Sequence, residues 1–407
     1  MRKRLEILFV LMLFSATAML AQMTTSGING MVTAGGDKAI GATVTAVHEP
    51  SGTTYNTVVN ESGRYSINGM RVGGPYTVKV SYIGYTTSVT KDVTLQLAES
   101  YSLNVKLAED ANELGEVVVS AKATKFTAER TGASTNINLR QLENMPTVSR
   151  SITDFTRLSP YGGNGMSFAG TDGRTANFTV DGANFNNNFG LSDGLPGGGN
   201  PISIDAIEEM QVVISPYDVR QTNFIGGGVN AITKSGTNTF KGTAYIYHQN
   251  ENMRGDAIER EQISGAREKD QKTTYGFTLG GPIIKNKLFF FVSGEMSKTP
   301  TVVNRWRGSV DGVADADNYI SRTTLADLEK VSNFVKDKYG YDTGSWTNFP
   351  ADENNYKLLA RLDWNITNMH HLSFRYNYTK NRNWNPTTHL QWTEVRARLT
   401  AASHRCQ

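Results

Sequence analysis

The stretch Tyr356-Lys357-Leu358-Leu359-Ala360-Arg361-Leu362-Asp363-Trp364-Asn365-Ile366 sorts its residues by parity. Its even positions are Tyr356, Leu358, Ala360, Leu362, Trp364 and Ile366, while its odd positions include Lys357, Arg361, Asp363 and Asn365. Successive side chains of a β-strand point to opposite faces, so this is a strand with one apolar and one polar face. After the short turn Thr367-Asn368-Met369-His370 the pattern resumes, with Leu372, Phe374, Tyr376 and Tyr378 set against Ser373, Arg375, Asn377 and Thr379. Strands of about ten residues, alternating in this way with aromatics near their ends, are the pattern of a transmembrane β-barrel. A soluble antiparallel sheet shows the same alternation, so parity alone does not separate the two.

Working upstream, Lys285-Asn286-Lys287 joins a strand over 273–282 to another over 288–296. Six barrel strands are read in all: 228–235, 239–248, 273–282, 288–296, 356–366 and 370–380. The polar insertions 249–272 and 298–355 fall where long extracellular loops belong, with the short turns facing the periplasm. Six strands are too few to close, and an open set would leave two unpaired edges in lipid. From Asn381 the alternation fades, and 397–407 reads unlike a barrel strand. A gene fragment or a shifted reading frame is therefore expected.

The N-terminus gives the compartment. Arg2, Lys3 and Arg4 precede an apolar run over 5–20 that only Glu6 interrupts, and Ala16-Thr17-Ala18 offers a small-residue cleavage site. Ala21-Gln22 is a weaker second site. This is the layout of a secretory signal peptide over 1–21; the alternative is an N-terminal anchor helix, for which the run is short. Cys406 is the only cysteine, so an exported chain has no internal disulfide. A net charge of +3 with no basic stripe gives no reason to expect a nucleic-acid partner.

Between these ends lie two more zones. From 24 to 110, short alternating segments such as 42–47, 54–59, 76–82, 93–97 and 101–107 are punctuated by Gly and Asn, as in a small β-sandwich. Gly63, in Asn60-Glu61-Ser62-Gly63-Arg64, is expected at positive φ in a turn. From 111 to 225, helix and strand signals mix. Glu116-Val117-Val118-Val119-Ser120 is a short β-branched run, and 139–158 suits one or two helices broken at Pro146. Asn177-Phe178-Thr179-Val180 is a strand ending at the turn Asp181-Gly182; 204–210 has helical spacing and 211–214 is a strand. Two Gly/Asn-rich loops, 161–174 and 183–200, complete the zone; loops of the second one's length are usually functional or disordered.

No catalytic constellation emerges. None of the six His forms a metal-ligand pair, Gly163-Asn164-Gly165 lacks the rest of a dinucleotide fingerprint, and there is no P-loop or nucleophile elbow. Asp181 and Asp205 can be drawn as a carboxylate pair, but a chain this long offers many. The chain is read as a non-enzyme with no cofactor and no metal.

Three stretches resemble known proteins. Residues 60–67 and 76–85 resemble the carboxypeptidase-like regulatory domain. Thr179-Val180-Asp181-Gly182 and Ile204-Asp205-Ala206-Ile207-Glu208-Glu209-Met210-Gln211-Val212 resemble the plug of TonB-dependent receptors. Tyr217-Asp218-Val219-Arg220, Gly226-Gly227-Gly228-Val229-Asn230 and Thr233-Lys234-Ser235-Gly236-Thr237-Asn238 look like the plug–barrel junction of the Oar-like branch. The resemblance implies a mainly β protein of the bacterial outer membrane: a regulatory β-sandwich over 24–110, an α/β plug over 111–225, the first strands of an incomplete barrel over 226–380, and an irregular tail over 381–407. Barrels of this kind have roughly 22 strands around a plugged lumen.

The same resemblance implies the partners: TonB in the periplasm, energised by ExbB and ExbD, outer-membrane lipid, and an unknown extracellular ligand. Glu116, Val117, Val118, Val119 and Ser120 occupy a position similar to the TonB-contact segment, which would pair with TonB as an added strand. Those valines could instead form a plug strand. Asn184, Phe185, Asn186, Asn187, Asn188 and Phe189 would face the ligand with amides and aromatic faces suited to a sugar- or peptide-like molecule, although Asn also accumulates in loops because it tolerates αL. The implied function is ligand capture and TonB-driven import; a surface adhesin or assembly protein, and a non-functional truncated fragment, remain as alternatives.

Overall fold

The computed structural model describes residues 24–109, 117–120, 133–145, 147, 150–186, 195, 200–214, 225–253, 255, 257–258, 261–262, 271–300, 307–316, 320–344, 352–368 and 370–382. The signal-peptide reading, Cys406, Glu116 and Asn187 to Phe189 lie outside them. The chain divides into two compact units. The first holds residues to Thr243, Phe277–Gly294 and Leu358–Tyr378; the second holds Ala244–Gly276, Glu295–Lys357 and Thr379 onward.

In the first unit, nine strands build a two-sheet sandwich: β1 (Ser26–Ala34), β2 (Asp37–Lys38), β3 (Thr43–His48), β4 (Thr53–Val58), β5 (Arg64–Met70), β6 (Gly73–Ser81), β7 (Ser88–Leu95), β8 (Ser100–Ser102) and β9 (Val105–Leu107). One sheet centres on β1, which pairs with β2, β5, β8 and β9; the other has the order β7-β6-β3-β4. The segment 101–107, expected as one strand, is two, β8 and β9, both parallel to β1 in the same register, with the Leu103 N–H donating to the Asn29 carbonyl between them. Alternate residues Val44, Ala46, Val78 and Val80 join Ile28, Val32 and Tyr76 in one apolar core. Gly63 has φ 77° in its turn, as read from sequence.

The strand β10 (Val117–Ser120) belongs to this second sheet, at its edge and parallel to β7, with Val117 opposite Ser88 and Ser120 opposite Lys91. The alternative placement of these valines in the plug is not what the fold adopts.

The plug sheet has the order β11 (Ala133–Asn138), β14 (Ile207–Ile214), β15 (Gly227–Thr233), β12 (Asn177–Val180), β13 (Ala183–Asn184). Two corrections to the sequence reading arise here. Residues 228–235, counted as the first barrel strand, lie as β15 in the middle of the plug sheet, paired on both sides. The apolar run Val229, Ala231, Ile232 is buried on both faces, which the alternation template did not weigh. The helix expected over 204–210 is a single 3₁₀ turn, Ile204–Ala206, running straight into β14. Short helices Leu139–Asn144 and Ile152–Thr156 each open with a capping box, at Asn138 and Ser151.

The fourth sheet has the order β16 (Lys241–Gln249), β19 (Lys272–Ile284), β20 (Leu288–Thr299), β23 (Glu353–Asn365), β24 (His371–Arg382). These five are the barrel strands among the described residues, and they do not close. In β23 the odd residues Lys357, Leu359, Arg361, Asp363 and Asn365 are buried, while Tyr356, Leu358, Leu362 and Trp364 are exposed. The exposed set extends to Leu372, Phe374, Tyr376 and Tyr378 on β24 and to Tyr275, Phe277 and Leu279 on β19. An apolar face turned outward over a polar face turned inward is the burial of a membrane barrel, not of a soluble sheet.

The insertions of the second unit carry structure that the sequence reading left as loop. β17 (Ala257–Ile258) pairs with β18 (Glu261–Gln262), and β21 (Arg307–Ser309) with β22 (Ile320–Thr324). A helix over Leu325–Tyr339 begins at Thr324, whose hydroxyl accepts from the Asp327 N–H at 3.1 Å, and stops at Gly340 with φ 64°. Both capping signals stand in the sequence.

Candidate functional site

The hairpin β12–β13 turns on Asp181 and Gly182, at φ 48° and 86°. Two positive φ values in a two-residue loop make a type I′ turn, the geometry that Asp-Gly favours. The turn points the Asp181 carboxylate at the end of β15: Oδ1 accepts from the Thr233 N–H at 3.0 Å and Oδ2 from the Thr233 hydroxyl at 2.5 Å.

Cations from the barrel strands meet the same carboxylate. Arg375 Nε lies 3.2 Å from Asp181 Oδ2, and Arg361 Nη1 lies 3.8 Å from Oδ1. Arg361 also grips Asp363 with two parallel donors, Nε to Oδ2 at 2.8 Å and Nη2 to Oδ1 at 3.1 Å, and donates Nη1 to the Thr233 carbonyl at 2.5 Å. Ser373 donates to Asp363 Oδ1 at 2.6 Å. The Arg361, Asp363 and Asp181 side chains are each at most 7% exposed, so each charge depends on its partners. A buried charge deprived of its partner costs several kcal/mol, roughly 3–5.

The sandwich adds one more cation. Arg71 follows β5; its carbonyl accepts from the Tyr76 hydroxyl at 2.7 Å, and its guanidinium reaches Asp363 Oδ1 at 3.8 Å and the Ser235 hydroxyl at 3.2 Å. Tyr76 packs against His48 with ring centroids 4.8 Å apart. Burial, helped by the charge of Arg71, pushes the His48 imidazole down to about 3, so it stays neutral and shares a 2.7 Å hydrogen bond with Ser51.

The sandwich meets the short turns of the barrel strands. Asn365 Nδ2 donates to Thr53 Oγ1 at 2.9 Å, the Asn238 N–H donates to the Pro50 carbonyl at 2.8 Å, and Tyr55 lies 5.3 Å from the His371 ring. It meets the plug as well. The Leu97 N–H donates to Glu209 Oε1 at 3.0 Å, and the Leu97 carbonyl accepts from Gln211 Nε2 at 3.0 Å and Asn136 Nδ2 at 3.2 Å. Short turns are the periplasmic end of such a barrel, so the sandwich sits where a periplasmic module belongs.

The residues read as site candidates fare differently. Val117 to Ser120 form the edge strand β10. Asn184 is exposed. Asn186 is occupied by the fold: its Oδ1 accepts from the Phe178 N–H at 2.6 Å and its Nδ2 donates to Asn177 at 2.8 Å, while Phe185 packs on the plug core. Both are turned to holding the loop. Asp205 pairs with Arg150, not with Asp181. Among the described residues no three His, Cys, Asp or Glu side chains gather as metal ligands. The sequence reading did not assemble the cluster of Arg71, Arg361, Asp363 and Arg375; the polar parity of β23 and β24 signalled the last three, and nothing local signalled Arg71.

Two family models match this chain. The carboxypeptidase regulatory-like domain covers residues 27–108, and the outer membrane beta barrel domain covers 232–310. Over 347 residues the chain is 25% identical to the TonB-dependent transporter Oar of Myxococcus xanthus, which takes in 79% of this chain and 30% of that protein. Over that span the chain is similar to a TonB-dependent transporter. It spans about three-tenths of the length of the curated relative it matches. Among solved structures it is similar to the siderophore receptor PirA of Acinetobacter baumannii, at 19% identity and TM-score 0.38, covering 62% of this chain and 32% of PirA. It is also similar to the outer membrane transporter YddB of Escherichia coli, at 13% identity and TM-score 0.43, covering 63% and 34%. The chain is mainly β, and the outer membrane beta barrel domain that it matches places it in the outer membrane.

Proposed function

We propose that this chain is part of a transporter that captures a ligand at the cell surface and imports it with energy delivered by TonB. The observation that carries this is the ion cluster. A plug turn, Asp181, is held by arginines from the inward face of two barrel strands, while the outward face of those strands is apolar. In a whole barrel a plug so seated would block the lumen, and import would require something to unseat it. The proposed handle is the segment 116–120, contacted by TonB with ExbB and ExbD behind it, through strand addition. Ligand contact is assigned to the loop beginning at the exposed Asn184. The ligand's chemical class is assigned to Asn184 and to Asn187, Asn188 and Phe189, since Phe185 and Asn186 hold the loop.

Deleting 116–120 in the whole protein tests this. Uptake should be lost while the protein still reaches the outer membrane and still binds cells or surfaces. Uptake that survives the deletion sinks the reading, and adhesion that persists in a protein with no uptake to lose favours an adhesin.

A further inference from the structure

The sandwich grips both sides of the seam between the plug and the barrel strands. On the plug side, the Leu97 N–H donates to Glu209 Oε1 and the Leu97 carbonyl accepts from Gln211 Nε2, both on β14, and from Asn136 of β11. Glu209 and Gln211 are at most 4% exposed, so a bond lost there leaves a buried polar group unpaired. On the barrel side, the turn 49–52 between β3 and β4 sits among three strand ends, and each presents an asparagine. Asn238, ahead of β16, donates its N–H to the Pro50 carbonyl at 2.8 Å. Asn365, the last residue of β23, donates Nδ2 to Thr53 Oγ1 at 2.9 Å and to the Asn286 carbonyl at 3.1 Å. Asn286, in the turn from β19 to β20, is tied to Asn238 by two bonds: its N–H donates to Asn238 Oδ1 at 2.9 Å, and its Oδ1 accepts from Asn238 Nδ2 at 2.7 Å. Gly52, at φ 63°, makes the fit possible, because a Cβ there would overlap Asn286 Oδ1. Ser51 and Thr53 are at most 2% exposed, although turn residues ordinarily face water. Arg71 adds a further hold, its guanidinium reaching Ser235 and Asp363 and lying 5.8 Å from the centre of the Phe289 ring on β20.

We infer that the sandwich is a staple across the plug–barrel seam: Leu97 is its plug-side prong, and the turn 49–52, seated in a socket of Asn238, Asn286 and Asn365, is its barrel-side prong. The ion cluster holds the plug from within the barrel strands, and the staple holds it from the end where their short turns lie. The plug leaves the barrel wall only by breaking the Leu97 bonds or by lifting the turn out of its socket. The sandwich therefore sets how readily the plug yields. This rests on the seated plug of the proposed function and adds a second, separable lock to it.

The test uses the whole protein in planar bilayers, without TonB or ligand, and reads the urea concentration at which the lumen begins to conduct. Gly52→Asn enlarges the turn where it meets Asn286, and Asn tolerates left-handed backbone, so the sandwich's own turn is little strained. It should lower the urea threshold by at least about 0.5 M. In protein that already carries Asn286→Gly the socket has room, and the same change at Gly52 should lower the threshold by less than half as much, which isolates the contact from any effect within the sandwich. A threshold unmoved by Gly52→Asn, or one that falls equally in both backgrounds, overturns the staple and leaves the ion cluster as the plug's lock. A parent protein that conducts in buffer without urea overturns the seated plug itself.

Discussion

The sandwich and the barrel strands of this protein use the same alternation and bury opposite halves of it. In β6, Tyr76, Val78 and Val80 are at most 1% exposed, and Lys79 between them faces solvent. In β23, Arg361 and Asp363 are buried and Leu362 between them is 41% exposed. Water surrounds the first strand, so apolar side chains gain by leaving it. Hydrocarbon surrounds the second, so the polar set must turn inward and find partners there. The alternating pattern has no sign of its own; the medium supplies it.

The comparison can be broken at the buried positions first. Tyr76→Ala empties the sandwich core and removes the hydroxyl that holds the Arg71 carbonyl. It should cost about 3–5 kcal/mol, the range for truncating a large buried aromatic ring, read by urea denaturation and loss of amide protection in β6. Arg361→Ala should cost a similar amount, roughly 3–5 kcal/mol, by stranding Asp363 and Asp181. Its signature is different: the plug becomes protease-sensitive while the sandwich keeps its protection. Equal protease resistance of the variant and the parent would show that the cluster does not seat the plug.

The outward faces sharpen it. Leu362→Lys places a charge on the lipid side and should cost up to about 2–4 kcal/mol near the bilayer midplane, measured as the folded fraction in lipid vesicles. Lys79→Ile, its counterpart on the water-facing side of the sandwich, should change stability by no more than about 0.5 kcal/mol. The sandwich alone should also respond to acid through His48. Its folded pKa of about 3 lies below the ordinary value of 6.5, so only the unfolded chain takes up the proton between these two values. Stability at neutral pH is therefore unaffected and falls as pH drops below about 6.5, by about 2 kcal/mol at pH 5. His48→Gln should flatten that slope over the same interval.

Much of the architecture was legible along the chain. The turns at Gly63 and Asp181-Gly182 were readable because each needs positive φ, a local property that few residues supply. The hairpins at 285–287 and 367–370 were readable because parity persists across a short turn. β15 was misplaced since a strand buried on both faces carries no parity, and nothing local says which sheet it joins. The helix Leu325–Tyr339 was overlooked although Thr324 and Gly340 mark both its ends.

What the sequence determined by itself was the strand periodicity, the turn chemistry and the inversion-prone alternation of β23 and β24, all set by neighbours within a few residues. Only the tertiary structure decided that Asp181 answers Arg361, about 180 residues later in the chain, and that 117–120 lies along β7 rather than in the plug. Ion pairing and strand addition are contacts between distant segments. Their partners are chosen by which surfaces the fold brings together, and a short run of residues carries no record of that choice.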